Sequence, residues 1–181
     1  MFDTPKVNIK IDTDFVNMDV NLYHNINLLV GGSGENKTNF IRAIYDTIHD
    51  GEFPDKVFIT GKDVNDNIVD FDIYYVELLQ DLFIINGCEL DNGCMCRRVS
   101  KELLRPTLFL VDDVRGLYYN DRFRYLVENY SDKCIFIITY RDVDTQEYIG
   151  KNSLTYDLYK VKVFENGYHT SYSLVKNNKE E

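Results

Sequence analysis

The feature that most constrains this chain is a glycine-rich turn between an apolar strand and an amphipathic helix. Residues 26–30, INLLV, predict a strand, and a run of three glycines and a serine follows directly. A helix is predicted from about Lys37 to Asp50, because its apolar residues fall on one face and Gly51 can end it. This order indicates a strand and a helix packed against each other, as in α/β domains.

Residues 31–38, GGSGENKT, closely follow the phosphate-loop pattern GxxxxGK[ST], known as the Walker A motif. The glycines let backbone N–H groups turn toward phosphate oxygens, and the helix N-terminus adds positive potential. Lys37 would reach the β- and γ-phosphates of ATP, and the Thr38 hydroxyl would hold Mg²⁺. A plain turn between a strand and a helix is the alternative. The residues predicted to bind nucleotide are Gly31, Gly32, Ser33, Gly34, Glu35, Asn36, Lys37, Thr38 and Asn39.

Asn36 departs from this pattern, since a glycine is expected immediately before the lysine. Asparagine tolerates a positive φ better than other non-glycine residues, so the shape of the loop can survive. Its side chain needs room close to the phosphates, however. We therefore predict that crowding by Asn36 lowers the affinity for nucleotide. The alternative is that its amide donates a hydrogen bond to a phosphate oxygen.

A second motif pairs an apolar run with two acidic residues. Leu108–Val111 is uninterrupted and apolar, and Asp112 and Asp113 follow it, as in a Walker B motif. A carboxylate at the end of a strand beside a phosphate loop can hold Mg²⁺, and the next acid can orient the attacking water. We assign the first role to Asp112 and the second, catalytic role to Asp113. The alternative is a strand that ends in a turn, where aspartate is common.

The rest of the chain reads as further strands and helices. Alternating apolar residues predict early strands, and an apolar run predicts one buried on both faces near residue 136. The predicted strands are 7–11, 16–22, 56–60, 68–76 and 134–138; the predicted helices are 77–85 and 122–130; residues 158–175 form a hairpin turning at Asn166-Gly167. Together these elements indicate an α/β domain over residues 1–175, followed by a disordered tail at 176–181.

Composition limits the partners and the compartment. The net charge of −10 repels nucleic acid in bulk, so nucleic-acid binding is not supported. No apolar run approaches the ~20 residues that span a bilayer, and no signal peptide is evident, so we expect no membrane contact. Four cysteines without such a signal predict reduced thiols and a cytoplasmic location. The spacing of Cys88, Cys94 and Cys96 is poor for zinc.

These motifs together resemble the P-loop NTPases, and more narrowly the ABC/SMC/RecF-like ATPases. Residues 100–113, SKELLRPTLFLVDD, look like the helix, proline and Walker B strand of that group, and residues 134–142, CIFIITYRD, look like its next strand and switch region. The rival resemblance is to STAND-type signalling ATPases. The resemblance implies a three-layer P-loop NTPase fold, with a mainly parallel central sheet and antiparallel β-ribbons at the N- and C-termini.

The family also implies a function and reveals departures. No LSGGQ-like segment is present, Asp113 stands for the usual catalytic glutamate, and Tyr140 stands for the switch histidine. The expected function is an ATP-binding protein, a weak or partner-stimulated ATPase that uses its Mg·ATP state to control an interaction with a protein partner or with itself. The alternative is a pseudo-ATPase, a structural or interaction module without turnover.

Overall fold

A mixed β-sheet forms the frame of the protein. The computed structural model describes residues 5–32, 34–52, 54–62, 67–79, 82–85, 88–89, 106–112, 121–130, 134–139 and 155–177. Within them twelve strands lie in one sheet in the order β5-β4-β1-β2-β12-β11-β3-β10-β9-β6-β7-β8. The strands are β1 (Val7–Asp12), β2 (Val16–Leu22), β3 (Ile26–Leu29), β4 (Val57–Lys62), β5 (Ile68–Asp70), β6 (Asp72–Leu79), β7 (Leu82–Ile85), β8 (Cys88–Glu89), β9 (Thr107–Asp112), β10 (Cys134–Thr139), β11 (Tyr156–Asn166) and β12 (His169–Lys176); the helices are α1 (Lys37–His49) and α2 (Asp121–Tyr130), with a 3₁₀ turn at Pro54–Lys56.

The early strands follow the alternation in the sequence. β1 pairs antiparallel with β2 and with β4, and Val7, Ile9 and Ile11 of β1 are fully buried. The residues between them point to the other face of the sheet, because side chains alternate along a strand. The predictions of strands at 7–11 and 16–22 are therefore confirmed.

The centre of the sheet is parallel and buried on both faces. β3, β10, β9 and β6 run parallel as neighbours, and every residue of β9 and β10 is buried. Uninterrupted apolar runs suit such strands, because neither face reaches water. The predicted strands at 26–30, 108–111 and 134–138 are confirmed, and their carboxyl ends lie at one edge of the sheet.

The two helices pack on opposite faces of this centre. Phe40, Ile41 and Ile44 of α1 are fully buried in one core cluster, whereas Phe123 and Val127 of α2 lie in the other. The predicted helices from about Lys37 to Asp50 and at 122–130 are therefore confirmed. Because α1 follows β3 through the glycine-rich turn, its N-terminus lies beside the carboxyl ends of the parallel strands.

The C-terminal hairpin links the early strands to the centre. β11 and β12 pair antiparallel around Gly167, whose φ of 63° is a left-handed conformation that glycine adopts freely. β11 pairs parallel with β3, and β12 pairs parallel with β2. The predicted hairpin is confirmed. Lys176, assigned to a disordered tail, is the last residue of β12, and residues 178–181 lie outside the described residues.

The predicted overall fold is wrong. The structure is a mostly β, barrel-like sheet with few helices, not a three-layer α/β P-loop fold with a mainly parallel sheet. Antiparallel pairing builds both ends of the sheet, through β1, β2, β4 and β5 on one side and β6, β7 and β8 on the other. Parallel pairing is limited to the neighbours β11, β3, β10, β9 and β6 and to the contact of β12 with β2.

One predicted helix is also wrong. Residues 77–85 are predicted to be helical, but Glu77 lies in β6 and Leu82–Ile85 form β7. The backbone of β6 pairs with β9 as far as Glu77, opposite Asp112. Pairing with the buried strand decides the conformation here, since local propensity is a weak prior beside tertiary contacts. The predicted strand at 68–76 is divided at Phe71 into β5 and β6.

Candidate functional site

The chain turns from β3 into α1 through a glycine loop, residues 31–36. Gly31 and Gly34 have φ values of 135° and 87°, and Asn36, the N-cap of α1, has a φ of 58°. Asn36 is thus left-handed, as its motif position requires, and its side-chain oxygen accepts a hydrogen bond from Asn39 Nδ2 at 3.2 Å. The Asn36 side chain makes no cap hydrogen bond to the helix backbone.

The Lys37 side chain folds back into the glycine loop. Its ammonium group donates hydrogen bonds to the carbonyl oxygens of Gly31 at 2.5 Å and Gly32 at 2.7 Å, and the residue is only 5% exposed. A buried ammonium group needs such acceptors, because an unpaired charge in the interior is strongly unfavourable. The loop therefore holds a positive charge at its centre.

The Glu35 carboxylate lies against the same loop. A Cβ atom at Gly31 would meet Glu35 Oε2 at 1.7 Å, so only a glycine allows this approach. Glu35 Oε1 lies close to the position that a Cβ of Gly32 would take, at 3.6 Å. The side chain of Glu35 is exposed, and so it can leave the loop without breaking the core.

Asp112 ends the buried strand β9 and accepts three hydrogen bonds from hydroxyl groups. Thr38 Oγ1 and Thr139 Oγ1 donate to Oδ1 at 3.1 and 2.8 Å, and the Tyr75 hydroxyl donates to Oδ2 at 3.3 Å. The residue is 4% exposed. Because both oxygens accept hydrogen bonds, the orientation of the carboxylate is fixed. All three of these donors are neutral hydroxyl groups, not cations.

Arg42 joins this cluster from the second turn of α1. Its Nε donates to the Tyr75 hydroxyl at 3.3 Å, and its Nη2 lies 3.6 Å from Glu77 Oε1. Burial raises the pKa of Tyr75 to about 12, the hydrogen bond from Arg42 opposes that rise, and the charge of Asp112 adds to it. The hydrogen bond with Tyr75 in turn raises the pKa of Arg42. Tyr75 therefore stays protonated and able to donate at neutral pH.

The residues present fit a magnesium phosphate group. Thr38 and Asp112 bring two hard oxygen ligands within 3.1 Å of each other, and Mg²⁺ commonly takes one or two protein oxygens and fills the rest with phosphate and water. Among the residues the structure describes, no group of three histidine, cysteine or acidic side chains could hold a metal. A cation here would depend on ligands from a bound phosphate and from water.

The structure brings together most of the predicted site, but not all of it. Gly31, Gly32, Gly34, Lys37 and Thr38 surround one corner where β3, β9 and α1 meet, as described above. Asp112 lies at the same corner, in contact with Thr38. Of the other residues predicted for the site, Glu35, Asn36 and Asn39 are exposed, whereas Ser33 and Asp113 lie outside the described residues. Tyr140, Cys94 and Cys96 also lie outside them.

Three residues of this cluster were not predicted. Thr139 is the first polar residue after the apolar run of β10, a position that could have indicated the same sheet edge. Tyr75 and Arg42 carried no motif: their roles follow from the pairing of β6 with β9 and from the spacing of Arg42, four residues after Thr38.

Comparison of the chain with protein-family models and with curated proteins gives no match. The resemblance to P-loop NTPases, in either its ABC/SMC/RecF-like or its STAND-like form, is contradicted by this result together with the mostly β fold. The motif around Lys37 predicted the local strand, loop and helix correctly, whereas the family assignment was wrong. In the described part of the chain, no helix has both the length and the apolar character needed to cross a membrane.

Proposed function

We propose that this protein binds the phosphates of a magnesium nucleotide, of which ATP is the expected one, at the glycine loop. The observation that carries the proposal is the contact between Thr38 and Asp112, which puts a carboxylate beside the start of the helix that follows the loop. Lys37 supplies the positive charge at the same corner. The N-terminus of α1, where Asn36 makes no side-chain cap hydrogen bond, directs backbone N–H groups and positive potential toward this corner, which favours an anion.

Binding requires a local exchange of partners. Lys37 gives up the carbonyl groups of Gly31 and Gly32 for phosphate oxygens, and Glu35 moves off the loop. Thr38 and Asp112 would hold Mg²⁺, which neutralises charge on the phosphates and orients them. Thr139 and Tyr75 keep the carboxylate of Asp112 pointed at this corner.

The activity that we propose for this site is slow or partner-stimulated ATP hydrolysis, in which Asp113 would orient the attacking water. Nucleotide state would then control contact with a protein partner or with a second copy of the chain. Cys134 is buried and forms no disulfide, which suits the reducing cytoplasm, the compartment that we propose.

A structural or interaction module without turnover is the second candidate. Lys37 is already bonded to two carbonyl groups of its own loop, and both oxygens of Asp112 already have donors. The corner is therefore complete as a structural junction, and this observation favours the second candidate.

Calorimetric titration with Mg·ATP, Mg·ADP and Mg·AMP tests the proposal. The wild type should bind the first two, and Lys37→Met, which keeps the length and apolar stem of the side chain, should lose most of the affinity. Lys10→Met is the matched control, because Lys10 is an exposed lysine of β1. A phosphate-release assay on the same samples separates the two candidates, since only an ATPase releases phosphate at a rate that depends on Lys37.

A further inference from the structure

Tyr75 fixes the one oxygen of Asp112 that the threonines leave unengaged. Its hydroxyl donates to Oδ2 at 3.3 Å, whereas Thr38 and Thr139 both donate to Oδ1. Tyr75 is buried, and its ring packs against Tyr45 at a centroid distance of 5.0 Å. Since the ring is held by packing, its hydroxyl has a defined position relative to the carboxylate.

The same hydroxyl is also the acceptor for Arg42, at 3.3 Å. Arg42 and Thr38 are four residues apart on α1, so they lie on one face of the helix. Two side chains of α1 therefore link this helix to Asp112. Thr38 bonds the carboxylate directly, and Arg42 reaches it through Tyr75.

We propose that Tyr75 is a positioning residue that orients Asp112 for a magnesium ion and couples that carboxylate to α1 through Arg42. This inference rests on the proposed function, because it concerns the cation at the same site. It goes further because it assigns the Mg²⁺-dependent part of nucleotide binding to Tyr75, a residue that lies outside both the glycine loop and the end of β9. Without the Tyr75 hydroxyl, Oδ2 loses this hydrogen bond, and the carboxylate can turn about the Oδ1 contacts with Thr38 and Thr139.

The experiment compares two affinities for ATP, one with excess Mg²⁺ and one in EDTA. Tyr75→Phe removes the hydroxyl and keeps the ring, so we expect the ratio of the two affinities to fall about tenfold, which is typical of losing one hydrogen bond to a charged group. The affinity in EDTA should stay unchanged, because Lys37 and the loop backbone are untouched. Tyr172→Phe is the matched control, since that half-buried tyrosine packs on Phe40 of the same helix.

A second variant guards against misfolding. Arg42→Gln changes a side chain that is 55% exposed, so the fold should tolerate it, and it weakens the support of the Tyr75 hydroxyl. We expect the ratio to fall in the same direction, by less than in Tyr75→Phe.

The outcomes separate this inference from the proposed function. An unchanged ratio in Tyr75→Phe, or an equal loss of both affinities, overturns the positioning role while nucleotide binding stands. Failure of the wild type to bind ATP under either condition overturns the proposed function, and the inference falls with it.

Discussion

The hydroxyl of Thr38 donates a hydrogen bond of 3.1 Å to Oδ1 of Asp112, across 74 positions of the sequence. The sheet explains this contact. Leu29, Thr139 and Asp112 are register partners at the ends of three parallel neighbours, β3, β10 and β9. Because α1 starts just beyond the end of β3, its first turn faces the end of β9. A short glycine loop and a parallel register therefore create the corner on which the proposed function depends.

The left-handed backbone of Asn36 leads to a prediction on stability. Asn36→Ala should lower the free energy of unfolding by about 1 kcal/mol, because alanine tolerates a φ of 58° less well than asparagine. Asn36→Gly should remain within about 0.5 kcal/mol of the wild type, since glycine adopts this conformation freely but also gains entropy in the unfolded chain. Urea unfolding monitored by circular dichroism measures both variants.

Asn39→Ala is the control for this pair, because it removes the hydrogen bond to the Asn36 side chain without changing a left-handed residue. If Asn36→Ala proves as stable as Asn36→Gly, the backbone at Asn36 is not left-handed. The earlier prediction that Asn36 crowds the phosphates stays a prediction, and calorimetry of Asn36→Gly with Mg·ATP tests it.

Local structure was largely predictable from the sequence. Burial of side chains produces the alternation in β1, the apolar runs of β9 and β10, and the helical spacing of α1. Each of these patterns lies within a single segment of the sequence. The placement of Thr38 beside Asp112 could also be inferred, because each motif fixes the position of its residues relative to nearby elements. The roles of Lys37, Thr38 and Asp112 stay predictions.

The arrangement of the strands was not predictable in the same way. Nothing within β12 indicates that it pairs with β2, and nothing in residues 77–79 distinguishes a strand from a helix without the partner strand β9. Tyr75 was missed for the same reason. Its contact with Asp112 depends on the register of two strands that are distant in sequence.

The position of Glu35 leads to a prediction on affinity. Its carboxylate lies against Gly31, where a phosphate group would approach the loop. Glu35→Gln should therefore strengthen binding of Mg·ATP about fivefold, since removing one like charge near an exposed anion is worth about 1 kcal/mol. Calorimetric titration at low ionic strength measures the change.

Glu52→Gln controls for the loss of one negative charge, because Glu52 is exposed and lies beyond the end of α1. A gain of equal size in both variants would mean that only net charge matters. Weaker binding by Glu35→Gln would instead make Glu35 part of the binding site.

A second cluster surrounds the carboxylate of Asp157. It lies at the N-terminal ends of β3 and β11, away from the glycine loop. His24 Nδ1 lies 2.8 Å from Oδ2, the Tyr159 hydroxyl donates to the same oxygen at 3.0 Å, and Lys176 Nζ lies 2.8 Å from Oδ1. Burial alone would raise the pKa of Asp157, but these partners, Lys176 first, lower it below the usual value. The cluster joins the end of β12 to the start of β11.

We expect this cluster to stabilise the fold except in acid. A pKa that is lower in the folded chain than in the unfolded chain gives stability above the unfolded value, near 4, and that stability is lost as the pH falls through the folded value. Asp157→Asn should therefore cost about 1–3 kcal/mol at pH 7 and progressively less below pH 4. Urea unfolding at several pH values measures this, and a cost that is the same at pH 7 and pH 3 contradicts it.

The most direct test of the central claim is the response of the backbone amides to Mg·ATP, followed by two-dimensional ¹⁵N NMR. The account predicts the largest shifts at Gly31, Gly34, Lys37 and Thr38, with a smaller one at Asp112, and it predicts their loss in Lys37→Met. Millimolar Mg·ATP that leaves these amides unmoved, or that shifts only amides elsewhere in the chain, would contradict the claim that this loop binds nucleotide phosphates.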